Sequence, residues 1–261
     1  MKDAGIVMRK NCLIVFFCII AGIIFSSCGL EEVLTVEEPA LTYNNPRYDS
    51  HEWANWYFNF KTSSDSGSNF IGTDVYYKIY NSISTLDSEH SSILSVNTST
   101  NGTAAATRMI ETYSYQPLGS SIPTDEAVYF PERGSTVVLR LKSYVYASDA
   151  SNNDTYFSFH ACVGRRDGTE YKYASYIPFR NGNKKSFDFF DEDDDDSSDM
   201  RDVLPEYGDS DYKCSDSDKD KSFDEYYVQL FAVGVALNPA TVTASYSLVL
   251  DLGSVPIRKG E

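Results

Sequence analysis

Apolar and polar residues alternate with a period of two along much of the chain beyond residue 50, the signature of strands with one buried face. Trp56, Phe58 and Phe60 alternate with Asn55, Tyr57, Asn59 and Lys61, and Val75, Tyr77 and Ile79 repeat the pattern. Between residues 136 and 147, Val137, Leu139, Leu141 and Val145 share one face, while Arg140, Lys142, Tyr144 and Tyr146 share the other. Phe157, Phe159, Ala161 and Val163 form a further apolar face. Arg166-Asp167-Gly168 then turns the chain, and the run from Tyr171 to Phe179 is the expected hairpin partner. Near the C-terminus Val242, Ala244, Tyr246, Leu248 and Leu250 are expected to face inward, with Thr241, Thr243, Ser245 and Ser247 outward. Residues 227 to 237 are apolar on both faces, which predicts a central strand.

Helical spacing is sparse. One short helix is predicted from about Thr85 to Leu94, with Leu86 and Ile93 facing inward and Ser84 at the cap position. Roughly eight to ten strands separated by turns predict an all-β fold, two antiparallel sheets packed face to face as a β-sandwich. Trp53 and Trp56, followed by Val75-Tyr76-Tyr77-Lys78-Ile79-Tyr80, resemble the paired strands of fibronectin III or immunoglobulin-like domains. No cysteine pair flanks the tryptophans in the immunoglobulin manner, so the strand order stays open.

The N-terminus has a different pattern. Lys2, Arg9 and Lys10 give a positive start, Cys12 to Phe25 an apolar stretch, and Ser26-Ser27-Cys28-Gly29 a small-residue junction. Fourteen helical residues reach roughly 21 Å, short of the roughly 30 Å of a hydrocarbon core. Residues 1 to 29 resemble a bacterial lipoprotein signal peptide. The resemblance implies cleavage before Cys28 and acyl chains, palmitate among them, on its thiol. It further implies an envelope location held to a membrane, the outer one because Gly29 stands where Asp would favour inner-membrane retention. Glu31-Glu32 resembles the acidic signals that send some lipoproteins to the cell surface, and the side of the membrane stays open. The expected organisation is a leader at 1–27, a lipid-anchored tether at 28–47 with Pro39 and Pro46, and a sandwich domain at 48–257 carrying an acidic insertion at about 188–222.

Charge sharpens this picture. The net charge of -16 becomes -18 once residues 1–27, with Lys2, Asp3, Arg9 and Lys10, are removed. Neither nucleic acid nor an anionic membrane surface is therefore an expected partner of the charge; a membrane reached through acyl chains and a protein or glycan ligand are. From Asp188 to Glu225 there are seventeen acidic and four basic residues, a net charge of -13. Such a segment must be solvated or neutralised by cations. Calcium is the candidate cofactor, since it takes six to eight oxygen ligands. Asp216, Asp218, Asp220, Ser222 and Asp224 follow the alternate spacing of a helix-loop-helix calcium loop. Lys221 stands where that loop requires Gly, and Tyr227 where a bidentate Glu would close the shell. A solvated acidic loop is the plainer reading.

With Cys12 and Cys18 in the leader and Cys28 acylated, Cys162 and Cys214 remain as a disulfide candidate. The loop of about fifty residues that they would close is worth roughly 4 kcal/mol in the chain-entropy model. Catalytic signatures are sparse: His51, His90 and His160 lack zinc-ligand spacing, and neither HExxH nor G-x-S-x-G occurs. Tyr76, Tyr80, Tyr144 and Tyr146 would either form an exposed stacking surface or fill the sandwich, and filling is the expectation. Together these features point to a non-catalytic binding or structural module, with a calcium-dependent adhesin or glycan-binding domain and a hydrolase of envelope polymers as the alternatives.

Overall fold

The computed structural model describes residues 35–42, 47, 58–120, 130–141, 161–163, 172–176, 178–180, 185–189, 204–238 and 241–259, all within one compact unit, Thr35–Glu261. In chain order the elements begin with β1 (Ala40–Leu41), β2 (Phe58–Lys61), β3 (Phe70–Tyr80) and helix α1 (Ile83–Leu94). Helix α2 (Ala104–Thr107) runs directly into a π-helical turn, Arg108–Thr112. The strands continue as β4 (Gln116–Pro117), β5 (Gly119–Ser120), β6 (Thr136–Leu139), β7 (Ala161–Val163), β8 (Lys172–Tyr176), β9 (Pro178–Phe179) and β10 (Tyr212–Lys213). A 3-10 turn at Asp216–Asp218 precedes β11 (Glu225–Asn238) and β12 (Thr243–Arg258).

Two sheets pack together as the alternation predicts. The first has the order β1-β2-β6-β7-β8 and the second β10-β3-β11-β12, with β4 alongside β3. All these pairings are antiparallel except that of β10 with β3. Phe58 and Phe60 of β2 and Val137 and Leu139 of β6 meet Val75, Tyr77, Ile79, Val228, Leu230 and Leu252 of the second sheet in a continuous buried cluster. The expected hairpin partner is confirmed as well, since Ala161 pairs with Tyr176 and Val163 with Lys172.

The second sheet is buried on its other face too, by a helical layer. Tyr76, Tyr80, Phe231, Val233, Val235 and Val249 pack there against Leu86 and Ile93 of α1, Ala105 and Ala106 of α2, and Met109. That explains why β11 is apolar on both faces and lies between β3 and β12. Helix α1 starts two residues earlier than predicted, because the Ser82 hydroxyl rather than Ser84 accepts the cap bond from the Thr85 N–H at 3.4 Å. Arg108 joins the two helices, its Nη1 donating to the Ser92 carbonyl at 2.8 Å.

Two expectations are corrected. Residues 35–42, assigned to the tether, lie on the sandwich: Val36 is buried, and Ala40 and Leu41 pair with Lys61 and Phe60. The seat for this segment is Gly234, where an added Cβ would stand 2.6 Å from the Glu37 carbonyl oxygen and 3.1 Å from Val36. The single inward face expected for residues 242–250 does not exist either. The register of β12 against β11 slips between Val233 and Val235, so Tyr246 faces the helices while Leu250 joins the core between the sheets. Ser247 is consequently buried, and its hydroxyl accepts the Gly234 N–H at 2.8 Å. Val242 falls in the turn at φ 55°, 74% exposed, a left-handed conformation that costs a β-branched residue about 1–2 kcal/mol.

Candidate functional site

The acidic segment is the region that sequence reasoning singled out, and its described part is held by the protein's own cations. Arg180 follows β9 and is 2% exposed. Its Nε and Nη2 donate to the two carboxylate oxygens of Asp211 at 2.8 and 2.9 Å, a bidentate fork, and Nη2 also reaches Asp209 at 2.6 Å. Tyr77 donates its hydroxyl to the same Asp211 oxygen at 2.6 Å, and Lys185 lies 3.3 Å from Asp209. Burial pushes the Asp209 carboxyl up, but the Glu206 N–H and the charges of Arg180 and Lys185 outweigh it and hold the group below the usual carboxylate value. Burial likewise works against the Arg180 charge, and Asp211 and Asp209 more than offset it. The main chain is tied in as well, since the Ile79 N–H donates to the Asp211 carbonyl at 2.8 Å and β10 then adds to the edge of β3.

Beyond β10 two of the five expected calcium ligands take other partners. Asp216 accepts from the Tyr207 hydroxyl at 2.7 Å. Asp218 accepts from Lys221 and from Ser215, each at 2.7 Å, and the bond from Lys221 chiefly holds its carboxyl below the usual value. Lys221, which replaces the glycine of a calcium loop, is thus the counter-charge of the turn. Asp220, Ser222 and Asp224 are exposed. Among the described residues no three His, Cys, Asp or Glu side chains gather in a way that could hold a metal ion.

Cys214 is a free thiol, half-buried beside Asn81, whose Nδ2 lies 3.7 Å from Sγ. The bridge expected between Cys162 and Cys214 is therefore not formed. Cys162 stands opposite Val138 in the first sheet, whereas Cys214 follows β10 at the edge of the second.

A second cluster lies between the helices and the second sheet, and sequence reasoning missed it. Lys78 of β3, 5% exposed, donates to Glu89 of α1 at 2.8 Å and to the Tyr113 carbonyl oxygen. Tyr80 donates to the same Glu89 oxygen at 2.9 Å and lies 2.9 Å from the Tyr115 hydroxyl. Burial pushes the Lys78 amine down, with Glu89 opposing, and pushes the Tyr80 hydroxyl up. His90, the next residue of α1 after Glu89, has its Nε2 2.8 Å from Asp251 of β12 and its ring stacked on Phe231. Asp251 also accepts from Gln229 and from the Gly253 N–H; burial raises its carboxyl, and His90 with these bonds brings it below the usual value. The signal was present in Glu89, a carboxylate three residues after Leu86 on the buried stripe of a helix.

Tyr76 and Tyr80 are core residues under the helical layer, in line with the filling role expected of them. Cys28, His51, Trp53, Trp56, Tyr144, Tyr146, His160 and the turn at 166–168 lie outside the described residues. Among the described residues no helix is long and apolar enough to cross a membrane. Comparison with protein-family models, with curated proteins and with solved structures finds no match to this chain.

Proposed function

We propose that this protein is an envelope lipoprotein, held at a membrane by acyl chains on Cys28, whose β-sandwich serves as a non-catalytic binding or structural module. The observation that carries the reading is the leader, a positive start and a short apolar stretch that ends in Ser26-Ser27-Cys28-Gly29. Two or more acyl chains give stable attachment where one alone binds marginally, each buried methylene contributing about 0.8 kcal/mol. The outer membrane is the favoured site because of Gly29.

Two clusters support a scaffold over a reaction centre. A general acid or base must reach a substrate, yet Arg180, Asp209 and Asp211 bind one another and Lys78 is bound to Glu89 beneath a helix. Both clusters pin a covering segment to the sandwich. A protein or glycan is the ligand class that a net charge of -18 after processing and an all-β surface suit. The test is fractionation of cells expressing Cys28→Ala. The variant is expected in the soluble fraction with the parent in the membrane fraction, and retention of the variant in membranes would overturn the proposal.

A further inference from the structure

The two ends of the sandwich differ in charge, and the chain arrives from Cys28 at one of them. We infer that the β11–β12 hairpin end, through Leu237 and Val242, rests on the lipid surface and turns the acidic end outward. This rests on the reading of Cys28 as the acylated residue. From Cys28 to Thr35 the chain has seven residue steps, which span at most about 25 Å at roughly 3.6 Å each. The segment that follows is seated at the hairpin end: Val36 and Glu37 lie against Gly234, three residues before Leu237, and the Leu237 N–H donates to the Asn69 carbonyl at 2.8 Å. β12 has 16 residues and is roughly 50 Å long at about 3.3 Å per residue, twice the reach of the tether. The hairpin end is therefore the end that the anchor keeps near the bilayer.

That end is built for lipid in two further respects. Leu237 and Val242 are 40% and 74% exposed, two of the four large apolar residues exposed among those described. Val242 holds φ 55° in the open, so the fold keeps an apolar, β-branched side chain where an Asn or Gly would be easier to place. Residues 226 to 250 contain no charged residue at all, in a chain that is strongly acidic. The charges around the hairpin end are mixed in sign: Glu37, Glu38, Asp65 and Asp74, the last opposite Val233, against Lys61 and Arg133. The acidic segment joins β11 at its opposite end, where Glu225 pairs with Arg258 and the Lys259 N–H donates to the Asp224 carbonyl. An orientation with the hairpin down keeps those carboxylates away from anionic headgroups, whose field decays within about 8–10 Å at ordinary salt. With the acyl chains holding the domain at the surface, a small apolar tip is enough to set the orientation.

The test places the acylated full chain on vesicles of phosphatidylethanolamine and phosphatidylglycerol with brominated acyl chains. Tryptophan is introduced by Val242→Trp or, as the far-end control, Ser222→Trp, and the parent, with Trp53 and Trp56, supplies the background. The expected result is a blue shift and bromine-dependent loss of the added emission for Val242→Trp, and neither for Ser222→Trp. Vesicles that carry the protein on flotation but leave Val242→Trp unquenched, or quench both variants alike, would overturn the orientation and leave the anchor standing. Failure of the acylated protein to float with the vesicles would remove the anchor and this inference together.

Discussion

Asp211 is the residue on which the described part of the acidic segment depends. It is 3% exposed and binds Arg180 through both oxygens, with Tyr77 as a third donor. Removing one partner of such a pair leaves a charge buried without compensation, a loss of about 3–5 kcal/mol. Asp211→Ala is therefore expected to lower stability by that amount in urea titration, while Asp220→Ala, exposed in the same segment, stays within about 0.5 kcal/mol of the parent. Equal and small effects at both positions would contradict the anchoring role. Nothing in the sequence separates these two aspartates. Both sit among seventeen acids, and the cation that distinguishes them, Arg180, precedes Asp211 by 31 positions. Lys78 was hidden for the related reason that an alternating strand marks one face as polar without saying that a helix covers it.

At the scale of elements, legibility followed the regularity of the backbone. β2 and β6 keep an unbroken period of two, and the faces read from sequence are buried; in β3 the face of Val75, Tyr77 and Ile79 is buried as read, and the opposite face is buried as well. β11 could be placed at the centre of its sheet because it is apolar on both sides. β12 was misread because its register slips twice against β11, and each slip exchanges the faces without a mark in the hydrophobic pattern. Helix α2 and its π-helical turn were missed because nine residues carry too little periodicity to stand out, Ala104-Ala105-Ala106 being the only cue. As an edge strand, β12 must also protect its unpaired backbone. Asn97, just after α1, does so as a strand would: its Oδ1 accepts the Val249 N–H at 3.0 Å and its Nδ2 donates to the Val249 carbonyl at 2.9 Å. Asn97→Ala should cost about 1–3 kcal/mol for two hydrogen bonds, and the opened edge should raise self-association in sedimentation velocity. An unchanged melting temperature with a monomeric variant would show that the edge needs no such cover.

For the molecule as a whole, a β-sandwich was legible and its third layer was not. The sandwich follows from one-sided alternation repeated in many segments, whereas the helical layer depends on contacts between residues far apart, such as Lys78 with Tyr113 and His90 with Asp251. The layer explains how a modest chain buries both faces of β11, and it ties α1 to the sheet by the Lys78–Glu89 ion pair and the His90–Asp251 contact where most of its contacts are apolar. The charge is divided between the ends, a neutral hairpin beside the arriving N-terminal segment and an acidic segment at the far side. This division has a functional meaning only if the chain is anchored by its N-terminus. The intact mass of the protein purified from membranes tests that claim most directly. A chain beginning at Cys28 and heavier than residues 28–261 by two or three acyl groups is the predicted result. A mass equal to the full 261 residues, or to a processed chain that carries no lipid, would contradict it.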